Sequence, residues 1–217
     1  MTQFVVEATL RKKGAQSIHT KLLLQMIAKR GNILWVPSYQ EEMNKVLEET
    51  MLIGIDTGSK GGCSLMAACG TINSTFSLYT SATTQNTDGD KKFNSMLEVT
   101  QKCIEGYATR NKGPPKEIII FFNSSPGDQI NLYQEHFSKK LQANLLKTYE
   151  KYVGLTVIMV NLRNSERFFT AENNPRNVAP GTLVSSTIVS KNYDFFIISQ
   201  QSNKGSVVPN HYKVITA

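Results

Sequence analysis

Met51-Leu-Ile-Gly-Ile-Asp56 and Ile118-Ile-Ile-Phe-Phe-Asn123 decide the reading of this chain. Each is a short apolar run of the kind that forms a strand buried on both faces, and each closes on a polar side chain. Two such strands lying parallel deliver their last residues at one edge of a sheet. Paired carboxylates set there can bind divalent cations. In this chain the first position is an acid, Asp56, and the second is an amide, Asn123.

Working outward from Asp56, strands are expected at Met51–Asp56, Cys63–Cys69 and Ser74–Thr80, punctuated like an antiparallel meander. A polar loop is expected over Thr83–Asp90. From Lys91 onward, Phe93, Met96, Leu97, Ile104 and Tyr107 fall at helical spacing. Gly113-Pro-Pro breaks that helix before the Ile118 strand. Ile130, Tyr133, Phe137, Leu141 and Leu145 mark another helix, and Leu155–Val160 another buried strand. Gly181–Val189, Tyr193–Ser199 and His211–Thr216 read as strands. Three hairpin strands followed by helix–strand alternation is the order of an α/β, RNase H-like mixed sheet flanked by helices.

Upstream, Phe4-Val-Val reads as a strand, Ser17–Ala28 as a helix and Ile33–Val36 as a strand. Pro37–Thr50 is polar and acidic, with a helical turn through Met43–Leu47, and is the best boundary in the chain.

The formal charge is +7, which favours an acidic partner, nucleic acid first. Arg11, Lys12, Lys13, Lys21, Lys29 and Arg30 fall in a stretch without acids. That stretch reads equally as a solvated basic face or as a phosphate site. Three cysteines, Cys63, Cys69 and Cys103, form no CxxC pair and read as reduced, intracellular thiols. No run approaches the length of a membrane span, and the N-terminus lacks a signal-peptide core. No histidine–cysteine cluster, Ser-His-Asp arrangement or phosphate-binding glycine loop is present in the sequence. His19 reads as a surface residue, His136 as a helix-face residue, and His211-Tyr212 as the start of a strand that packs the sheet.

Several stretches together resemble a known family. Leu52-Ile-Gly-Ile-Asp56, Gly113-Pro-Pro-Lys-Glu-Ile-Ile-Ile-Phe-Phe-Asn123, Pro180-Gly-Thr-Leu-Val184 and Val208-Pro-Asn-His-Tyr212 resemble the PIWI domain of Argonaute/Piwi proteins. Gln3-Phe-Val-Val, Thr20-Lys21, Leu24-Gln-Met-Ile-Ala-Lys-Arg-Gly31 and Leu34-Trp35 resemble the end of the MID domain that precedes it. Order and spacing fit the Piwi branch better than the Argonaute branch. The resemblance implies that residues 1–48 are the C-terminal part of a MID-like domain. It makes 49–217 a PIWI domain truncated at its C-terminus, in a family whose members also carry a PAZ domain.

The resemblance also implies a role for each candidate residue. Slicing members use two aspartates, a glutamate and a final histidine or aspartate to hold two Mg²⁺ ions. Asp56 matches the first aspartate, Asn123 stands at the second, and Lys91 stands at the glutamate. Asp128, Glu98 and Glu105 are nearby acids in the wrong places. Lys29 matches the lysine that pairs with a guide's 5′ phosphate, with Gln3 and Gln25 supporting the same pocket. Ile27 and Arg30 depart from the family's usual residues there. Arg163 and Arg167 match basic positions against the guide backbone. The implied function is small-RNA-guided silencing without slicing. Its partners would be a guide RNA, a complementary RNA target and silencing-complex proteins, in cytoplasm or nucleus. The alternatives are a metal-dependent, RNA-guided endoribonuclease, or a degenerate fragment acting only in protein interaction.

Overall fold

A computed structural model describes residues 4–11, 14–39, 41–60, 63–86, 92–123, 129–189, 194–202 and 205–216. Its centre is one eight-stranded mixed sheet. In chain order the strands are β1 (Thr50–Lys60), β2 (Cys63–Thr71), β3 (Tyr79–Asn86), β4 (Glu117–Asn123), β5 (Gly154–Asn161), β6 (Leu183–Val184), β7 (Asp194–Ile197) and β8 (Asn210–Thr216). Across the sheet they run β3-β2-β1-β4-β5-β8-β7-β6. The first three form an antiparallel meander, β4 and β5 join parallel to β1, and β8 returns antiparallel to β5. This is the RNase H-like order expected from the sequence.

The helices are α1 (Glu7–Leu10), α2 (Ala15–Lys29), α3 (Glu41–Leu47), α4 (Lys92–Asn111), α5 (Ile130–Tyr133) and α6 (Lys139–Tyr149). A π-helical turn at Gln134–Ser138 joins α5 to α6, so the single helix expected from Ile130 to Leu145 carries a bulge. The bulge keeps Tyr133, Phe137 and Leu141 on the core side, each with 2 % exposure or less.

Strand alternation sorts the sheet into two faces. On one face Met51, Ile53 and Ile55 of β1, Ile118, Ile120 and Phe122 of β4, and Leu155, Val157 and Met159 of β5 are buried. Met96, Val99, Cys103 and Ile104 of α4 close over them, together with Phe137, Leu141 and Leu145. Burying each large side chain stabilises by about 1.5–3 kcal/mol. Gly106 sets how closely α4 lies on β3, because a Cβ there would stand 3.1 Å from Thr80 Cβ. The other face carries Leu52, Gly54, Asp56, Ile119, Phe121 and Asn123, and α4 does not cover it.

Five expectations fail. Ser74–Thr80 is mostly a turn, with the strand displaced to Tyr79–Asn86. Asn73 explains the shift: its Oδ1 accepts from Ser77 N and Leu78 N at 3.0 Å, and its Nδ2 donates to Ser77 Oγ at 2.9 Å. A side chain that satisfies the backbone locally competes with a ladder, and Phe76 adopts φ +52° inside the turn. Conversely, Thr83–Asn86 is strand rather than loop, since β-branched threonines suit an edge.

Phe4–Val6 and Ile33–Val36 join no strand, although both are apolar. No described residue before Thr50 is buried, so burial does not favour sheet there. Of Gly181–Val189, only Leu183–Val184 pairs. α2 runs as expected and ends in a Schellman cap on Gly31 at φ +84°. Gly31 N donates to Ala28 O at 2.9 Å, and Asn32 N to Ile27 O at 3.3 Å. Among the described residues no helix is long and apolar enough to cross a membrane.

Candidate nucleic-acid interface

The register of β1 against β4 pairs Gly54 with Phe121 and Ile55 with Phe122, so the next step places Asp56 beside Asn123. Both stand on the uncovered face and both are exposed. β2 and β3 extend this row, with Ala67 opposite Asp56 and Thr83 opposite Ala67. On the other side Val160 lies opposite Asn123. These residues floor an open depression of about 460 Å³ that reaches Cys69, Phe121 and Leu162. Its lining is mainly apolar, and Asp56 is the one acid in it among the described residues.

The chemistry available there is limited. Asp56 Oδ1 accepts from the Thr57 backbone N–H at 2.8 Å. Asn123 offers an amide oxygen, which can ligate a cation but brings no charge to hold it. Among the described residues no three His, Cys, Asp or Glu side chains gather closely enough to hold a metal ion. One carboxylate and one amide do not fit the pair of divalent cations that two-metal phosphodiester hydrolysis requires. Cys69 offers no ready nucleophile, because partial burial pushes its thiol pKa up. Beneath it, burial raises Cys103 to about 11.

Nearby acids do not complete the set. Glu98 sits on α4, where its carboxylate accepts from Thr84 Oγ1 at 3.0 Å and pairs with Lys102 at 2.7 Å. Those contacts hold its pKa below the usual carboxylate range, Lys102 contributing most. Thr84 shares the helix-covered face with Ala82, so Glu98 lies on the opposite side of the sheet from Asp56. Lys91 and Asp128 lie outside the described residues.

Lys92 was not singled out from its residue type or spacing. Its ammonium donates to the Tyr133 hydroxyl and lies 4.9 Å from the centroid of that ring. Tyr133 in turn stacks on Phe122 at 4.6 Å, directly before Asn123. A cation is therefore built in under the end of β4. The only sequence signal was its place beside Lys91.

Gln25 and Lys29 are one helical turn apart on α2, on one exposed face. Lys29 sits in the last turn, where the helix presents carbonyl oxygens and favours a cation. An anion held there must be held by side chains, because the helix N–H groups point the other way. Gln3 lies outside the described residues. Arg163 follows Leu162, which lines the depression, and is exposed, with its backbone N–H on Asn161 Oδ1 at 2.9 Å. Arg167 is exposed but committed to its own loop, donating to Asn164 O at 3.1 Å and Glu166 O at 2.6 Å.

The histidines sort as follows. His19 is exposed, and His136 lies on a helix face against Phe93 at 5.5 Å. His211 does more than start a strand, since it pairs with the buried Asp194 and stacks on Phe196 at 4.1 Å.

Comparison with known proteins identifies the family and the fold. The chain is 31% identical over 222 residues to Piwi-like protein 1 of Gallus gallus, covering 99% of this chain and 25% of that protein. It is 28% identical over 220 residues to Piwi-like protein 3 of Homo sapiens, covering 99% and 24%. The chain thus spans about a quarter of the length of these relatives. In fold it matches the crystal structure of Drosophila Piwi with a TM-score of 0.78 at 24% identity, covering 97% of this chain and 28% of that one. Kluyveromyces polysporus Argonaute, crystallised with a guide RNA, matches with a TM-score of 0.78 at 23% identity, covering 98% and 28%. The profile described as Piwi domain matches residues 1–217 from end to end, and the chain belongs to that family.

Proposed function

We propose that this chain is the guide-holding, non-slicing part of a small-RNA-guided silencing protein. The observation that carries the reading is the placement of Asn123 beside Asp56, with no second carboxylate among the described residues of the depression. A site with one negative charge holds hard dications weakly, so cleavage of a phosphodiester has no engine here. Binding has separate means. Lys29 and Gln25 share an exposed helix face for the 5′ phosphate, and the exposed Arg163, next in sequence to Leu162 of the depression, serves the backbone. The net charge of +7 supplies long-range attraction for RNA.

In this reading residues 1–48 are the closing part of a MID-like unit and 49–217 are PIWI sheet. The absence of buried side chains among the described residues before Thr50 supports that division. Sequence selection comes from guide–target pairing, and the protein contributes contacts to phosphates and riboses. Silencing then proceeds through recruited proteins, not through a cut. The test is binding of single-stranded RNA with and without a 5′ phosphate, by the unaltered chain and by Lys29→Glu. Selective loss of the 5′-phosphorylated ligand supports the reading, and equal loss of both removes Lys29 from the phosphate site.

A further inference from the structure

Ser165 stands at the middle of Arg163-Asn-Ser-Glu-Arg167, in the loop that leaves β5. It is the one serine or threonine of the sequence with a lysine or arginine at both second neighbours. From Leu162 to Phe168 the chain forms no turn, and Arg163, Ser165 and Arg167 are all exposed. Alternate residues of an extended segment point to one side, which groups these three side chains. Asn164 anchors the loop, its Nδ2 donating to Pro209 O at 2.8 Å and to Asn161 O at 3.3 Å. The serine is thus presented by a loop fixed at the residue before it.

Arg167 is already folded back beside this serine. Its Nη1 donates to Asn164 O at 3.1 Å and to Glu166 O at 2.6 Å, the carbonyls on either side of Ser165. Its Nη2 and Nε make no hydrogen bond or ion pair among the described residues, and neither does the Arg163 guanidinium. A guanidinium pinned there is a preformed receptor for a phosphate on the serine, because phosphate oxygens match its fork of N–H donors.

We propose that Ser165 is the phosphorylation site of a basic-directed protein kinase, and that Arg163 and Arg167 clamp its phosphate and are so withdrawn from RNA. The withdrawal rests on the guide-holding reading, in which Arg163 serves the RNA backbone. The donor is a nucleoside triphosphate carried by the kinase. The Ser165 hydroxyl oxygen bonds to the γ-phosphorus, and the bond from that phosphorus to the β-phosphate oxygen breaks. Nucleoside diphosphate leaves, and the hydroxyl proton passes to the kinase's base. Arg163–Arg167 carries two cations and one anion, Glu166. A phosphate adds about −1.5 to −2 charge near pH 7, so the sign of the segment reverses. A backbone that the segment attracted is then repelled.

The full 217-residue chain is incubated with Mg-ATP and the catalytic fragment of protein kinase C, which selects basic residues on both sides of serine, and mapped by peptide mass spectrometry. Phosphate on Ser165 is expected. Phosphorus-31 titration should place the phosphoserine pKa below its ordinary value of about 6, and Arg167→Gln should return it towards that value. Modification is expected to weaken single-stranded RNA about tenfold and to reduce the salt slope by about 1.4, the loss of two phosphate contacts. Ser165→Ala should bind RNA like the unaltered chain and lose no affinity after kinase treatment. A folded chain left without phosphate on Ser165 would overturn the proposal. So would unchanged RNA affinity after modification, or a phosphoserine titration indifferent to Arg167. An unmodified chain that binds no RNA would sink the guide-holding reading and the withdrawal with it, while the titration still decides the clamp.

Discussion

Asp56 and Asn123 stand side by side where the parallel pairing of β1 and β4 ends, on the sheet face that α4 leaves uncovered. The backbone that presents a metal-binding pair is intact, and the chemistry of the pair is halved. In the function proposed here, that contrast separates holding a nucleic acid from cutting it.

Restoring the second charge alone is not expected to restore cleavage. Asn123→Asp supplies two carboxylates, yet the resemblance places Lys91 where a third should stand, and a cation there opposes divalent ions. A labelled target strand incubated with guide, Mg²⁺ and this variant should stay whole. A cut product would show that the remaining ligands come from elsewhere.

Guide recognition is expected to depend on Lys29. Lys29→Glu should weaken 5′-phosphorylated RNA by about tenfold, close to 1.4 kcal/mol, while 5′-hydroxyl RNA changes little. Fluorescence anisotropy with the two RNAs measures both arms.

Core packing sets the stability. Ile120 is fully buried in the core, on β4 between β1 and β5. Ile120→Ala should cost about 3 kcal/mol, read from urea unfolding. Gly31→Ala, at φ +84°, should cost about 1 kcal/mol through its cap.

Alkaline pH is expected to destabilise the fold through Cys103. Its thiol is held protonated to about 11 in the folded chain, against 9.0 as the model-compound value. Between those values the unfolded chain releases a proton that the folded chain keeps, so stability falls as pH rises through that window. Tyr107 and Tyr149, also raised by burial, extend the trend upward. Cys103→Ala should flatten the fall near pH 9–10 in thermal melts across pH.

Much of the sheet could be read in advance because β1, β4 and β5 are buried on at least one face along their length. Continuous apolar runs such as Ile118–Phe122 leave few alternatives. The misreadings came where local chemistry or solvent decided the outcome. Asn73 converts the Ser74–Leu78 stretch into a turn through its own side chain, and Phe4–Val6 has apolar residues but nothing to pack on. Asp56 and Asn123 were legible because their strands fix them. The Lys92–Tyr133–Phe122 stack was not, since it joins three elements far apart in sequence.

The most direct test is binding of a 5′-phosphorylated, guide-length single-stranded RNA, titrated with salt, with and without Mg²⁺, with the products resolved on a gel. The account predicts salt-sensitive binding and an uncut strand in both conditions. Mg²⁺-dependent cut strands would contradict the non-slicing site, and a folded chain that binds no RNA would contradict the guide-holding role.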